Sequence, residues 1–424
     1  MRETREKVEV EKMKRESLEA VYIHTSSFNE QIKSEKAITL VALVVTIIVL
    51  IILAGISISL VIGNNGIMQK AAKGREDYTG AAINEQLDLN KIEDYIEDNT
   101  GNVVPIESAK GGSYFETPTT VKDTNGNFIK VPQGFKIAAD SGLNVTEGIV
   151  IEDNDIIEGI GNNRGNQYVW IPVGNEIKKS DGTTINITLG RYEFATNGTP
   201  TLKQDAVNYT QEVIINSYYK ELATSRIGAV ASNRLNDTNT TALNLKVFVD
   251  SVKANGGYYI ARYEASYGTD GKANSKVSNT YEYSTPNKEG QLWNCITQIN
   301  AATASRNLYS TLNSDLINSY AWDTAIVYIQ NFSGDTDYSR QTSLNKSLAN
   351  TGVNNDEKCK INDMSSNIRE WTTESCTYAS NSATKPCTSR GGYYSYSNSC
   401  TAYRDILSTM DSDGSISFRC ALYM

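Results

Sequence analysis

Histidine is almost missing: the only one is His24, and no residue after it is a histidine. This removes Ser-His-Asp and Cys-His nucleophile systems, and every histidine-ligated zinc, copper or iron site, from the globular part. A basic stripe is missing too. With 40 Lys and Arg against 49 Asp and Glu, the formal net charge is −9, which argues against a nucleic-acid partner. Cysteine is absent until the last third, where Cys295, Cys359, Cys376, Cys387, Cys400 and Cys420 occur without any CxxC pair. Metal-ribbon and thioredoxin-like spacings are therefore excluded. An even count suits disulfides if this part lies in an oxidising compartment, and a set of reduced, buried thiols otherwise.

Charge is also absent over one long stretch. From Ile38 to Gly63 no residue is charged, and a helix of that length, at about 1.5 Å per residue, exceeds the roughly 30 Å of a hydrocarbon core. The run predicts a single membrane-spanning helix, since a soluble helix has no need to be apolar on every face. The leader before it holds eight Lys/Arg and eight Asp/Glu within residues 1–36, so charge does not set the orientation. After it, "GNNG" (63–66) predicts a break. A polar helix with Leu89, Ile92 and Ile96 along one face then reads as a stalk.

The charged leader followed by "AITLVALVVTIIVLIILAG" resembles the type IV prepilin family. The resemblance implies cleavage between Ala37 and Ile38 by a prepilin peptidase, and pilin-like assembly partners. Ala37 stands where the family prefers Gly, and Ala42 stands at the fifth mature position, where pilins carry Glu.

From Val103 the pattern changes to short alternating stretches with turn dipeptides. Asn125-Gly126 and Asp181-Gly182 each predict a hairpin, because these pairs supply the positive φ angles of a tight turn. "TALNLKVFVDSVKANGG" (241–257) predicts a helix stopped by Gly256-Gly257.

Five stretches then follow in order: "YVWIPVG" (168–174), "GGYYIARYEAS" (256–266), "NSYAWDTAIVYI" (318–329), "INDMSSNIREWTTE" (361–374), and "SRGGYYS" with a final "SISFRCA" (389–395, 415–421). Together they resemble the formylglycine-generating-enzyme-like family, of the sulfatase-modifying-factor type, a variant of the C-type-lectin fold. On the residues alone, Trp322 and Trp371 read as core side chains. Arg390 and Arg419 flank the final loop and can hold it closed, and Gly391-Gly392 admits backbone that other residues cannot adopt. In active members of that family a cysteine pair after Arg-Gly-Gly carries copper-dependent oxidation. Here Tyr396 occupies the first position and only Cys400 lies near the second, so no catalytic residue is assigned. Asn367 and Glu370 match positions that in relatives contribute oxygen ligands to calcium, which implies calcium as the one candidate cofactor. An Asn capping a turn and a Glu paired with an arginine is the competing reading of the same two residues.

What remains is a surface. "RGGYYSYSNSCTAYRD" (390–405) places Tyr393, Tyr394, Tyr396, Asn398 and Tyr403 among small polar residues, the composition of a paratope. Tyr outnumbers Phe 25 to 8, which favours partly exposed rings. Such C-terminal loops resemble those that retroelements diversify in proteins of this lectin-like fold.

The resulting expectation is an α+β chain. It comprises a charged leader (1–37), a transmembrane prepilin-like helix (38–63), a helical stalk (64–102), a small β module (103–165) and a C-type-lectin-like mixed α+β domain (166–424). It is expected at the cell membrane, single-pass, with the C-terminal domain extracellular and binding a protein or glycan ligand. The alternatives are a formylglycine-generating-type oxidase and a structural pilin or pseudopilin subunit.

Overall fold

The computed structural model describes residues 11–17, 19, 46–50, 85, 89, 103–211, 213–221, 245–281, 288–343, 347–376, 385–408 and 411–424. The chain divides into two units, Met1–Tyr78 and Thr79–Met424. In the first, the described residues are helical. The cleavage position Ala37–Ile38 and nearly all of the stalk lie outside the described residues.

The second unit is built mainly of strands, so the α+β expectation is corrected. β-branched and aromatic residues are concentrated in the central strands of the larger of its two principal sheets, Gln167–Pro172 and Gly257–Ala261, both buried along their whole length. The larger has six strands, all antiparallel, in the order Asn313–Leu316, Cys420–Tyr423, Gly257–Ala261, Gln167–Pro172, Val150–Glu152, Lys136–Ile137. It runs across the 165/166 boundary drawn from the sequence. The second sheet orders Tyr219–Lys220, Arg369–Cys376, Cys387–Arg390 and Arg404–Leu407, with Ile416–Phe418 pairing in parallel with Arg369–Cys376.

Hairpins form at both turn dipeptides. Asn125-Gly126 joins Thr119–Lys122 to Phe128–Val131, and Asp181-Gly182 joins Gly174–Lys178 to Thr184–Ile187. A helix spans Leu245–Asn255 and ends at Gly256, whose φ of 70° is the left-handed stop that glycine allows.

Among the described residues of the second unit the longest helix is Ser319–Phe332, of 14 residues. The Asn318 side chain caps it by accepting from the Ala321 N–H at 2.9 Å. Almost every residue of the helix is buried, Trp322, Ala325, Ile326 and Ile329 completely. At about 1.5 Å per residue it is too short for a bilayer. Among the described residues no helix is long and apolar enough to cross a membrane, and this overturns the single-pass membrane placement. Of the run 38–63, only 46–50 is described.

Tyrosine behaves differently from its sequence reading. Tyr168, Tyr258, Tyr259, Tyr320, Tyr328 and Tyr338 are all fully buried. Several satisfy their hydroxyl by donating to a main-chain carbonyl: Tyr258 to Ala321 at 2.7 Å, Tyr259 to Lys130 at 3.0 Å, Tyr328 to Val145 at 2.6 Å. Burying a ring whose one polar atom is bonded forfeits little of the apolar gain. The excess of Tyr over Phe is thus in large part a feature of the core.

Candidate functional site

Strands Cys387–Arg390 and Arg404–Leu407 pair with Arg390 opposite Arg404, so the segment 391–403 leaves and re-enters the sheet at two arginines. Both side chains turn inward. Arg390 reaches Asp323 Oδ1 at 2.5 Å and Glu374 Oε2 at 3.3 Å, while Arg404 reaches Asp323 Oδ2 at 2.8 Å and Glu374 Oε2 at 2.9 Å. A third guanidinium, Arg191, meets Glu374 Oε1 at 2.7 Å. All five side chains are buried. Burial alone would raise the Glu374 carboxyl, but Arg404, Arg390 and Arg191 together pull it down to about 2. Buried charges of this kind persist only when paired and hydrogen-bonded, and here each guanidinium fork has a carboxylate to meet.

The loop crosses the body of the protein immediately after its first foot. Gly391 has φ 91°, and a Cβ at Gly392 would sit 1.7 Å from the Ser365 carbonyl oxygen. Glycine is therefore required at both positions for two different reasons, conformation and clearance. Further along, Tyr394 N donates to Asn367 O at 2.9 Å, Ser399 Oγ to Gly391 O at 2.9 Å, Thr401 N to Gln341 O at 3.0 Å and Ala402 N to Ser339 O at 3.0 Å. From the long helix, Trp322 Nε1 donates to Thr401 O at 3.0 Å. Trp371 is likewise buried, its Nε1 donating to Ile296 O at 2.8 Å.

On this fixed base stand the tyrosines. Tyr393 and Tyr394 pack edge-on at 4.8 Å between centroids, Tyr396 and Tyr403 at 6.1 Å. Tyr394 also leans on the small apolar cluster of Leu292, Leu348 and Ile368. The Arg369 guanidinium lies 5.1 Å from the Tyr393 ring centre and pairs with Asp405. Tyr396 is 46% exposed, and Ser395, Ser397 and Asn398 beside it are exposed as well. The surface is thus a row of half-covered rings edged by small hydroxyl and amide groups.

No family model matches the chain, and no curated protein matches it either. Three solved structures do. They are the M1, I1 and P3c variants of the major tropism determinant, each 13% identical, covering 74% of this chain and 82% of theirs, with TM-scores of 0.30, 0.30 and 0.27. A superposition that loose carries no argument here.

Asn367 and Glu370 are both buried and both engaged by protein. Asn367, at φ 61°, donates through Nδ2 to Glu264 Oε2 at 2.5 Å and accepts the Ala349 N–H at 3.0 Å. Glu370 receives a two-pronged contact from Arg419, whose Nε lies 2.6 Å from Oε2. Arg419 also donates to Ala261 O and Asn362 O, so it ties the last strand to the turn before Trp371. Among the described residues no group of three or more His, Cys, Asp or Glu side chains has the arrangement to hold a metal ion. Burial, with Asp363 and Glu370 nearby, pushes Glu264 well above the usual carboxylate range, against the opposing pull of the Asn367 hydrogen bond.

Cys295, Cys359, Cys400 and Cys420 stand as free thiols, and burial pushes Cys359 and Cys420 up to about 12, far from a reactive thiolate. Cys376 and Cys387 are buried in adjoining strands.

The residues that hold the loop, Glu374, Asp323, Arg404 and Arg191, were missed by sequence reasoning. One signal was present: Asp323 is a lone charge inside the apolar helical stretch "AWDTAIVYI", and such a residue needs a buried partner.

Proposed function

We propose that the chain is a binding protein whose ligand is another protein, received on the surface formed by Tyr393, Tyr394, Tyr396, Asn398 and Tyr403. The observation that carries this reading is the contrast between the loop's base and its crest. The base is fixed by buried ion pairs, two glycines and the Trp322 hydrogen bond, whereas Tyr396 and its neighbours are exposed. Ordering a mobile loop on binding costs about 0.5–1.5 kcal/mol per side chain, and a loop already held avoids most of that. Tyrosine and arginine are the residue types that dominate protein interfaces, and Arg369 against Tyr393 places both in one patch. Small Ser and Asn groups around the rings provide adaptable hydrogen bonds.

The test is a screen of the full chain against surface proteins and glycans, repeated with Tyr394→Ala and Tyr396→Ala. Each truncation is expected to weaken binding by about 2 kcal/mol, roughly thirtyfold. Tyr396→Ala is the cleaner of the two, because Tyr394 also packs on Leu292, Leu348 and Ile368. Unchanged affinity in both variants would remove this surface. Capture of glycans alone would replace the protein ligand with a saccharide one.

A further inference from the structure

Segment 391–403 is gripped from two sides by residues far apart in the chain. At its start Gly392 N donates to Met364 O at 3.2 Å and Tyr394 N to Asn367 O at 2.9 Å. At its end the turn Tyr338–Arg340 and the residue after it take over: Thr401 Oγ1 donates to Tyr338 O at 2.8 Å, Ala402 N to Ser339 O at 3.0 Å and Thr401 N to Gln341 O at 3.0 Å. One buried side chain touches both grips. Asp356 accepts the Ser365 N–H at 2.9 Å and the Ser366 hydroxyl at 3.1 Å through Oδ2, and the Tyr338 hydroxyl at 3.4 Å through Oδ1. It is 1% exposed.

Unlike Asp323 and Glu374, this carboxylate is met by hydroxyl and amide groups and not by a guanidinium. On its own segment Glu357 pairs with Arg262 and Lys358 with Asp335. Beneath Gly392 lies Asp363, a like charge, with Glu264 and Glu370 beyond it. Arg419, between the last two strands, is held on Glu370 and on the Ala261 and Asn362 carbonyls. Burial keeps the Tyr338 phenol neutral. A buried carboxylate with no paired cation is costly to ionise. Burial first, and the Asp363 charge with it, raise Asp356 to about 6 against the pull of the Ser365 and Ser366 hydrogen bonds. Once protonated, Asp356 keeps Oδ2 as the acceptor for both serines and can donate from Oδ1 to the Tyr338 oxygen, so the bridge persists without a buried charge.

We propose that Asp356 is a proton-operated latch beneath the tyrosine surface: protonated, it joins the two grips on segment 391–403, and ionised, it weakens them. In the folded chain its value of about 6 lies above the roughly 3.9 of an aspartate in water. Any state in which the grips open and Asp356 meets water therefore holds the proton less tightly. The advantage of the held state is fully present below about pH 4 and is lost as pH rises through about 6. Between pH 5 and pH 8 the opening equilibrium changes by about tenfold. That a ligand is captured more firmly in mildly acidic surroundings rests on the tyrosine surface being the binding site, whereas the latch itself does not.

The experiment follows amide exchange of Tyr394, Thr401 and Ala402 in the free, full-length chain from pH 5 to pH 8, in wild type and in Asp356→Asn, the neutral isostere. Protection, corrected for the intrinsic pH dependence of exchange, is expected to fall about tenfold more in wild type than in the variant. Parallel profiles overturn the proposal, since the pH dependence would then belong to Asp363, Glu264 or Glu370. Should the variant not fold, carboxyl-carbon NMR of Asp356 in the wild-type chain decides: a titration midpoint near 6 is expected, and one below about 5 overturns the latch. Both measurements are made without ligand, so a failed latch and a failed binding surface are told apart.

Discussion

Replacing Glu374 by glutamine is expected to destabilise the second unit by about 3–5 kcal/mol, the usual cost of removing one partner from a buried ion network. Three guanidinium groups, Arg191, Arg390 and Arg404, share Glu374 and Asp323. Without Glu374, Asp323 is left with Arg390 and Arg404, and Arg191 loses its ion-pair partner. Glutamine keeps the volume, so the effect reports charge and hydrogen bonding and not a cavity. The pH dependence separates this from a packing defect. Glu374 titrates near 2 in the folded chain, below the ordinary value of about 4.3 expected when unfolded. A depressed folded value contributes stability that is fully present above the unfolded value and is lost as pH falls toward the folded one. The gap between wild type and Glu374→Gln in urea unfolding should therefore be constant from neutral pH to about 5 and narrow below about 4. A gap of less than about 1 kcal/mol at neutral pH would mean that the five groups are not paired as described.

Gly392→Ala is expected to cost about 3 kcal/mol, at the upper end for overpacking, because the new methyl meets a backbone atom that cannot rotate away. The nearest atom is the Ser365 carbonyl oxygen, at 1.7 Å from the added Cβ. By contrast Gly134→Ala, where nothing lies within 4 Å of the added Cβ, carries only the strain of its φ of 84°. Comparing the two by urea midpoint distinguishes steric conflict from conformational preference. Equal losses would show that segment 391–403 does not run against residues 364–366.

The local elements were the legible part of this chain. Asn-Gly and Asp-Gly turns, and a helix closed at Gly256, follow from nearest-neighbour sterics, and each is found where its dipeptide falls. The membrane expectation rested on hydropathy alone, and no described helix meets the length and apolarity required. Tyrosine counts misled for a physical reason: a phenol whose hydroxyl finds a carbonyl is as good a core residue as phenylalanine, and composition cannot tell the two situations apart. The brace under the loop was hidden because its members come from four separate strands and one helix. Arg191 and Glu374 are 183 positions apart in the chain, and no spacing rule links them. The aromatic crest itself could be read from the sequence "GGYYSYSNSCTAY" as a run of rings among small polar residues. Its rigid footing could not.

The most direct measurement is amide hydrogen exchange along residues 391–403 in the free, full-length chain. The Tyr394, Thr401 and Ala402 amides are bonded to carbonyls of other segments. They are expected to exchange as slowly as those of the central strand Arg369–Cys376, while the exposed crest at Ser397 and Asn398 exchanges quickly. Exchange of all these amides at the rate of an unstructured peptide would contradict a pre-held tyrosine surface.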